Sequence, residues 1–393
     1  TVVIGGHGAG KSTILDGLGL LAQSRGAEGL QLEGRRISGV TFRDMVHKHL
    51  ERETMDIGVT VRLEGPVPPV IEADTWTVSY DIQCDNTPDR RFFRQQEARF
   101  EFGTQVWEFV TPRMGRWTTP PDLRLPKRPP ASFSDSTYTL MPFRFFLGGR
   151  DYALHRSLET LRLALSEELA RNVHLVPAER MISRNLYPDK GAPQEAPWGG
   201  VEEVVSALAY DWDLRDQVSG LLWRVVGRKI GFVRGDGEIR VEASNHMLHP
   251  VLCEGSGMRQ LVWPLAALAV APPGSLVAIE EPEIHLHPQA QARLAEELGR
   301  EALRRELRLL VTTHSEHILM ALLTAVAKKE MRPHELCIYY LEVGDGVASA
   351  ERLEVDERGA VRGGLKGFFE EGLSQLEMYL QALASGGGAV SEA

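Results

Sequence analysis

The run TVVIGGHGAGKST, residues 1–13, decides how the rest of the chain is read. Val2, Val3 and Ile4 are β-branched residues in succession, the composition of a short buried strand. Gly5, Gly6, Gly8 and Gly10 then let the backbone take positive φ and turn its amides inward. A ring of N–H donors can thereby surround a polyphosphate at the start of the next helix. The pattern GxxxxGK[S/T] closes on Lys11, Ser12 and Thr13. Lys11 is placed to reach the β- and γ-phosphates, and the Ser12 hydroxyl to ligate magnesium. The bland alternative is a glycine turn that merely ends in Lys-Ser; the strand before it and the apolar helix after it argue for the phosphate loop.

Two later strings answer the first. SLVAIEEPEIHLHP, residues 275–288, is an apolar strand that delivers Glu280 and Glu281 to its C-terminal end, where ligands bind in a parallel α/β sheet. One carboxylate can serve magnesium while its neighbour polarises the attacking water. LLVTTHS, residues 309–315, ends a strand expected at 307–313 and puts His314 before a helical stretch at 315–329. A side chain on a neighbouring strand end can reach a γ-phosphate, so His314 joins the candidate catalytic set. Together the three strings describe an ATP-hydrolysing engine. Between them lies CEGSGMRQL, residues 253–261, in which Gly255, Ser256 and Gly257 open an apolar helix running to about Val270. Ser256 is expected to cap that helix, and its N–H groups form an anion site with no evident use in the chain's own nucleotide pocket.

The order of phosphate loop, long middle section, glycine-serine turn, acidic strand and histidine resembles that of the ABC ATPases, in their SMC-like branch. EEPEIHLHP and TTHSEHIL are most similar to ATPases related to the OLD (overcoming lysogenization defect) proteins and to the stand-alone ATPases grouped with them. KSTILDGLGLLAQS (11–24), VTFRDMVHK (40–48), HLVPAERM (174–181) and GGLKGFFEEGLSQLE (363–377) extend the likeness over most of the chain. The resemblance implies an α/β fold: an ABC-ATPase head with a mostly parallel P-loop core sheet, an antiparallel β-lobe and a helical lobe. It further implies ATP and Mg2+ bound between two copies, with Lys11 and Ser12 of one facing the 255–257 turn of the other. Glu281 becomes the catalytic carboxylate, Glu280 and Ser12 the metal side, and His314 the γ-phosphate switch. The chain departs from the family pattern in three places. Glu280 stands where aspartate is usual; the turn reads GSGM, so Ser256 or backbone amides alone could meet the partner nucleotide; and Gln31, Gln83 and Gln95 all remain open for the glutamine that joins the lobes. The start on the P-loop strand, without methionine, is read as lacking a preceding pair of strands.

The implied partners are a second copy through ATP and a separately encoded effector protein, in bacterial antiphage defence or genome maintenance. An OLD-type nuclease needs a further metal domain. After His314 strands are expected only at 338–342 and 353–356, with Asp345 and Asp356 on loops, which argues against it. A transporter's nucleotide-binding subunit is disfavoured by the GSGM turn and by HLHP.

A net charge of −10 opposes a surface coated in nucleic-acid contacts. Arginine patches at 90–99 and 113–128 admit non-specific contact with DNA phosphates but read more readily as a solvated basic hairpin, and Arg304, Arg305 and Arg308 read as a helix end facing water. Cys84, Cys253 and Cys337 show no pairing or metal spacing, which suggests a reducing compartment, and a cytoplasmic location is expected. No stretch reads as a membrane span.

One ATPase head is expected over 1–393. Its parts are a P-loop and β-lobe (1–111, strands near 56–63, 75–83, 92–102 and 105–110), an irregular insertion (112–150) and a helical lobe (151–254). A catalytic and C-terminal section (255–384) and a disordered tail (385–393) complete it. Within the helical lobe, leucines at helical spacing predict a helix over 151–171. A loop is expected at 187–200, a mainly helical stretch at 201–226, and a hairpin turning near 235–237.

Overall fold

The computed structural model describes residues 1–6, 8–23, 171–193, 196, 198–245, 247–362, 364, 378 and 381, together with four strands between 54 and 111. The chain divides into two compact units, Leu15–Val173 and the remainder, Thr1–Ile14 with His174–Ala393.

The second of these units is built on a six-stranded sheet. Its strands are β1 (Val2–Gly5), β6 (Val173–Val176, of which Val173 lies at the unit boundary), β11 (Leu276–Glu280), β12 (Arg308–Thr312), β13 (Ile338–Gly344) and β14 (Val347–Leu353). The order across the sheet is β14-β13-β1-β12-β11-β6. β1 lies parallel to both β12 and β13, with Val2 opposite Val311 on one side and Ile338 on the other. β11 runs parallel to β12, bringing Glu280 level with Thr312. Strands covered on both faces need apolar side chains on both, which is why VVI, LVAI and LLV are continuous apolar runs rather than alternations. β13 and β14 pair antiparallel, through a turn at Asp345 and Gly346 whose φ values of 52° and 77° suit a two-residue hairpin.

Helix α1 (Lys11–Gln23) begins in this unit. The others here are α2 (Val201–Tyr210), α3 (Trp212–Val226), α4 (Ser256–Val270), α5 (Pro288–Arg304) and α6 (Glu316–Ala327). α4 is apolar nearly all round and is correspondingly buried from Gly257 to Ala269 except at Arg259. Pro264 lies inside it without ending it. The helical stretch expected at 201–226 is two helices. Asp211 is extended and its side chain accepts from the Leu214 amide (2.9 Å), so it caps α3 and ends α2.

A small antiparallel sheet accompanies these helices: β7 (Leu186–Pro188), β8 (Lys229–Gly235), β9 (Glu238–Ser244) and β10 (Leu248–Pro250), with β9 paired to the other three. Asp236 and Gly237 turn the β8–β9 hairpin with φ of 56° and 75°. β7 falls where a loop was expected, because Tyr187 is buried and its backbone pairs with Ile239. The strand expected at 353–356 is instead β14, ending at Leu353; Asp356 accepts from the amides of Arg358 and Ala360 and forms a turn.

The other unit contains an antiparallel sheet in simple order, β2 (Thr54–Glu64), β3 (Thr75–Asp85), β4 (Phe93–Phe102) and β5 (Gln105–Thr111). These are the four alternating segments read from the sequence. The insertion at 112–150, most of the helix at 151–171, the tail, Gln31 and the arginine patch at 113–128 lie outside the described residues. The fold class is therefore α/β, with a mostly parallel core sheet, separate antiparallel sheets and helices.

Candidate active site

β1 delivers the glycine-rich turn to its C-terminal end. Gly5 has a φ of 152°, and a Cβ there would lie 2.4 Å from the Leu341 carbonyl oxygen, so β13 can pack against the turn only if residue 5 is glycine. Gly8 and Gly10 take φ of 72° and 88°, while Gly6 is exposed. Lys11 opens α1 with its side chain buried, and its Nζ donates to the carbonyls of Gly5 (3.0 Å) and Gly6 (2.8 Å). Burial lowers the Lys11 pKa, and Glu281, Glu283 and Glu280 act against that shift. Thr13 lies exposed on the first turn of α1.

Ser12, next on the helix, donates its hydroxyl hydrogen to Glu280 Oε1. The phosphate loop and the end of β11, 268 residues apart in sequence, are thus joined side chain to side chain. The other carboxylate oxygen, Glu280 Oε2, accepts from the Ala178 amide at 3.2 Å. Glu281 leaves the strand with a φ of 41°, in the left-handed region where a non-glycine residue is strained. Its amide still donates to the Thr312 carbonyl (2.9 Å), and its Oε1 lies 3.4 Å from His314 Nε2. Glu280, Glu281, His314, Lys11 and Ser12 therefore converge at the carboxyl ends of adjacent strands, the expected place for a ligand in such a sheet.

Among the described residues no three or more His, Cys, Asp or Glu side chains are grouped to cage a metal ion. A magnesium ion on a nucleotide does not need such a cage, since it keeps waters and takes phosphate oxygens. The donors that meet here, one hydroxyl and one carboxylate, are hard oxygens of the kind that ion accepts.

The 255–257 turn starts α4. Gly255, extended at φ −62° and ψ 153°, takes the N-cap position with no side-chain hydrogen bond, and Ser256 is the first helical residue, so the cap expected from Ser256 is not made. Gly257 is needed for contact: a Cβ there would lie 2.5 Å from the His285 carbonyl oxygen.

A family model described as “AAA domain, putative AbiEii toxin, Type IV TA system” matches residues 1–321, a span that includes every one of these groups. The chain belongs to this AAA-domain family. As a member, it is an ATPase domain of the AAA type. No curated protein matches it. Among solved structures it is similar to an Smc head bound to the C-winged helix domain of ScpA, at 11% identity over 90% of each chain with a TM-score of 0.48. It is also similar to an Smc head with an extended coiled coil bound to the C-terminal domain of ScpA derived from Pyrococcus furiosus, at 12% identity over 96% of this chain and 92% of that one, TM-score 0.42. The SMC head domain from Thermotoga maritima matches at 10% identity over 90% of each chain, TM-score 0.37.

Within the AAA domain the structure adds residues that the sequence reading passed over. Glu283 Oε1 accepts from Thr313 Oγ1 (2.6 Å) and from the His314 amide (2.8 Å), so it holds the backbone that carries His314. Burial pushes the Glu283 carboxyl up, against those two bonds. Ser315 caps α6 by accepting from the Ile318 amide (3.1 Å), and it donates to Gln291 Oε1 (2.5 Å). Arg180 donates to the carbonyls of Glu280 (2.5 Å) and Glu281 (2.8 Å). Glu283 and Arg180 sat in view in EEPEIHLHP and HLVPAERM, but charged residues in short polar strings read as solvated until their partners are known.

Proposed function

We propose that the chain is an ATP-hydrolysing head that closes on ATP with a second copy and passes the resulting movement to a partner. The observation that carries this reading is the Ser12–Glu280 hydrogen bond, with Glu281 and His314 beside it. It supports a single reaction centre assembled from the phosphate loop and two strand ends. In this reading the backbone amides of the 5–10 turn and Lys11 bind the phosphates. Nucleotide draws Lys11 from the Gly5 and Gly6 carbonyls onto phosphate oxygens. Glu281 takes a proton from the attacking water, and His314, held from behind by Glu283, senses the γ-phosphate. Ser12 and Glu280 would hold Mg2+, which supplies charge neutralisation at the β- and γ-phosphates.

The likeness to OLD-related ATPases and the family's description as a toxin of a type IV toxin–antitoxin system favour a defence role with a separately encoded partner. Contact with DNA, in this reading, is through arginine patches and is salt-sensitive and indifferent to sequence. Among the described residues no helix is long and apolar enough to cross a membrane.

Hydrolysis tests the assignment. Glu281→Gln is expected to keep ATP affinity within about twofold and to lose most turnover, on the order of a hundredfold, because only the proton acceptor is removed. Lys11→Ala is expected to lose ATP binding instead. Turnover by Glu281→Gln at the wild-type rate, measured by phosphate release, would show that the base lies elsewhere.

A further inference from the structure

Arg180 is 1% exposed and is the largest fully buried side chain among the described residues. A buried guanidinium is costly unless its donors are satisfied, so its partners indicate what it is for. Its described hydrogen bonds all go to backbone carbonyls. Nη1 donates to Pro177 (2.7 Å) and Glu280 (2.5 Å), Nη2 to Glu281 (2.8 Å) and Nε to Gln260 (3.3 Å). Burial brings its pKa down to about 10, with Glu283, Glu280 and Glu281 supplying the opposing charge, so it stays a cation at neutral pH.

The Gln260 carbonyl is available for a particular reason. In a regular helix it would accept from the amide four residues on, but that residue is Pro264, which has no N–H. Arg180 Nε supplies a donor that α4 cannot. The same segment is joined to α4 twice more: the Ile182 amide donates to the Arg259 carbonyl (3.3 Å), and Arg259 Nη1 donates to the Ile182 carbonyl (3.0 Å). On its other side the Ala178 amide donates to the Glu280 carboxylate. Residues 177–182 are thus bonded along one side to the two glutamates that end β11 and along the other to the first turns of α4.

We propose that Arg180 is a positioning residue that locks the carboxylate end of β11 to the start of α4, so that engagement of the 255–257 turn by a second copy's nucleotide is transmitted to Glu280 and Glu281 of the same chain. This rests on the head-to-head reading above. It assigns the ATP sites of a dimer a coupling route: the 255–257 turn at each site, through α4 and Arg180, adjusts the water-activating carboxylate of the other site. Lysine cannot replace arginine here, because one ammonium cannot serve four carbonyls in a planar fork.

The test is the ATP dependence of steady-state hydrolysis by the full chain. Wild-type protein is expected to give a Hill coefficient above about 1, two coupled sites allowing up to about 2. Arg180→Lys, which leaves buried carbonyls without donors, is expected to lower the thermal midpoint while staying folded at the assay temperature, to keep its affinity for a fluorescent ATP analogue, to lose about tenfold or more in kcat, and to become hyperbolic. Arg259→Ala cuts a tie at the α4 end without touching Arg180 or the glutamates; it should lower the Hill coefficient at unchanged thermal midpoint, and it keeps the proposal testable if Arg180→Lys does not fold. Unchanged kcat and Hill coefficient in a folded Arg180→Lys overturn the proposal, as does cooperativity intact in Arg259→Ala. A loss of analogue affinity in step with a loss of thermal stability marks Arg180 as a packing residue only and overturns it too. Light scattering of Glu281→Gln with ATP separates the two readings: no dimer there sinks the head-to-head reading and the coupling with it, whereas a dimer whose hydrolysis is indifferent to both substitutions sinks the coupling alone.

Discussion

One buried side chain, Glu283, holds the backbone that carries His314. One carboxylate oxygen accepts from Thr313 and from the His314 amide, and the other, Oε2, is buried without a hydrogen-bond partner among the described residues. Burial of the charged form raises its pKa more than the two bonds lower it. A carboxyl with a raised native pKa binds its proton more tightly in the folded chain. Its contribution to stability is full below the ordinary carboxyl range and is lost as pH rises through the raised value. Glu283→Gln keeps an acceptor for Thr313 and His314 and removes the charge. Urea unfolding at about pH 4 and about pH 7 is expected to show the stability of wild type falling relative to the variant as pH rises. An unchanged difference between the two proteins at the two pH values would mean that the carboxyl does not titrate differently on folding. Glu283→Ala, which leaves Thr313 and the His314 amide without their acceptor, is expected to cost stability by about 1–3 kcal/mol.

At the scale of elements, α4 begins on two glycines that do different work. A Cβ on Gly255 meets nothing within 4 Å, and its φ of −62° suits any residue. A Cβ on Gly257 would meet the His285 carbonyl at 2.5 Å and Leu286 Cδ2 at 2.9 Å. Gly257→Ala must therefore push α4 off the loop between β11 and α5, at a cost of about 1–3 kcal/mol, while Gly255→Ala should cost under about 1 kcal/mol, the loss of a favourable N-cap. Thermal unfolding of the two variants checks the ranking, and equal midpoints would contradict the close contact. The same elements show what could be read ahead of the structure. The strands β1, β11 and β12 and the residues at their ends were legible because an apolar run ending in glycine, glutamate or histidine is a local pattern. β7 was not, since three residues carry no periodicity and their partners in β9 lie 50 to 54 residues away. Nor was Arg180, whose role depends on carbonyls 80 to 101 residues distant and on a missing amide at Pro264. Ser256 was misread as a cap because serine before an apolar run is the usual signal; Gly255, already extended, takes that position one residue earlier.

At the scale of the whole molecule, the question is what meets the N-terminus of α4. A helix start leaves amides that its own turns cannot satisfy, and a phosphate is a favoured ligand for them. The first turn of α4 is capped by no side chain, and the chain's own phosphate loop already has Lys11, Ser12 and the glycine-rich turn. In the head-to-head reading proposed above, a second copy's γ-phosphate is that ligand, and twofold symmetry would then use both turns at once. Two identical sites closing together would make nucleotide the adhesive of such a dimer, so in this reading the mass of the particle should depend on ATP and on hydrolysis being blocked. Glu281→Gln protein, followed by light scattering, is expected to double in mass when ATP and magnesium are added and to return to its starting mass when nucleotide is removed. Ser256→Arg in the same background places a bulky side chain on the first helical residue and is expected to prevent the increase while leaving ATP binding at Lys11 intact. A mass that is the same with and without ATP, and untouched by Ser256→Arg, would mean that the 255–257 turn serves some ligand other than the nucleotide of a second copy.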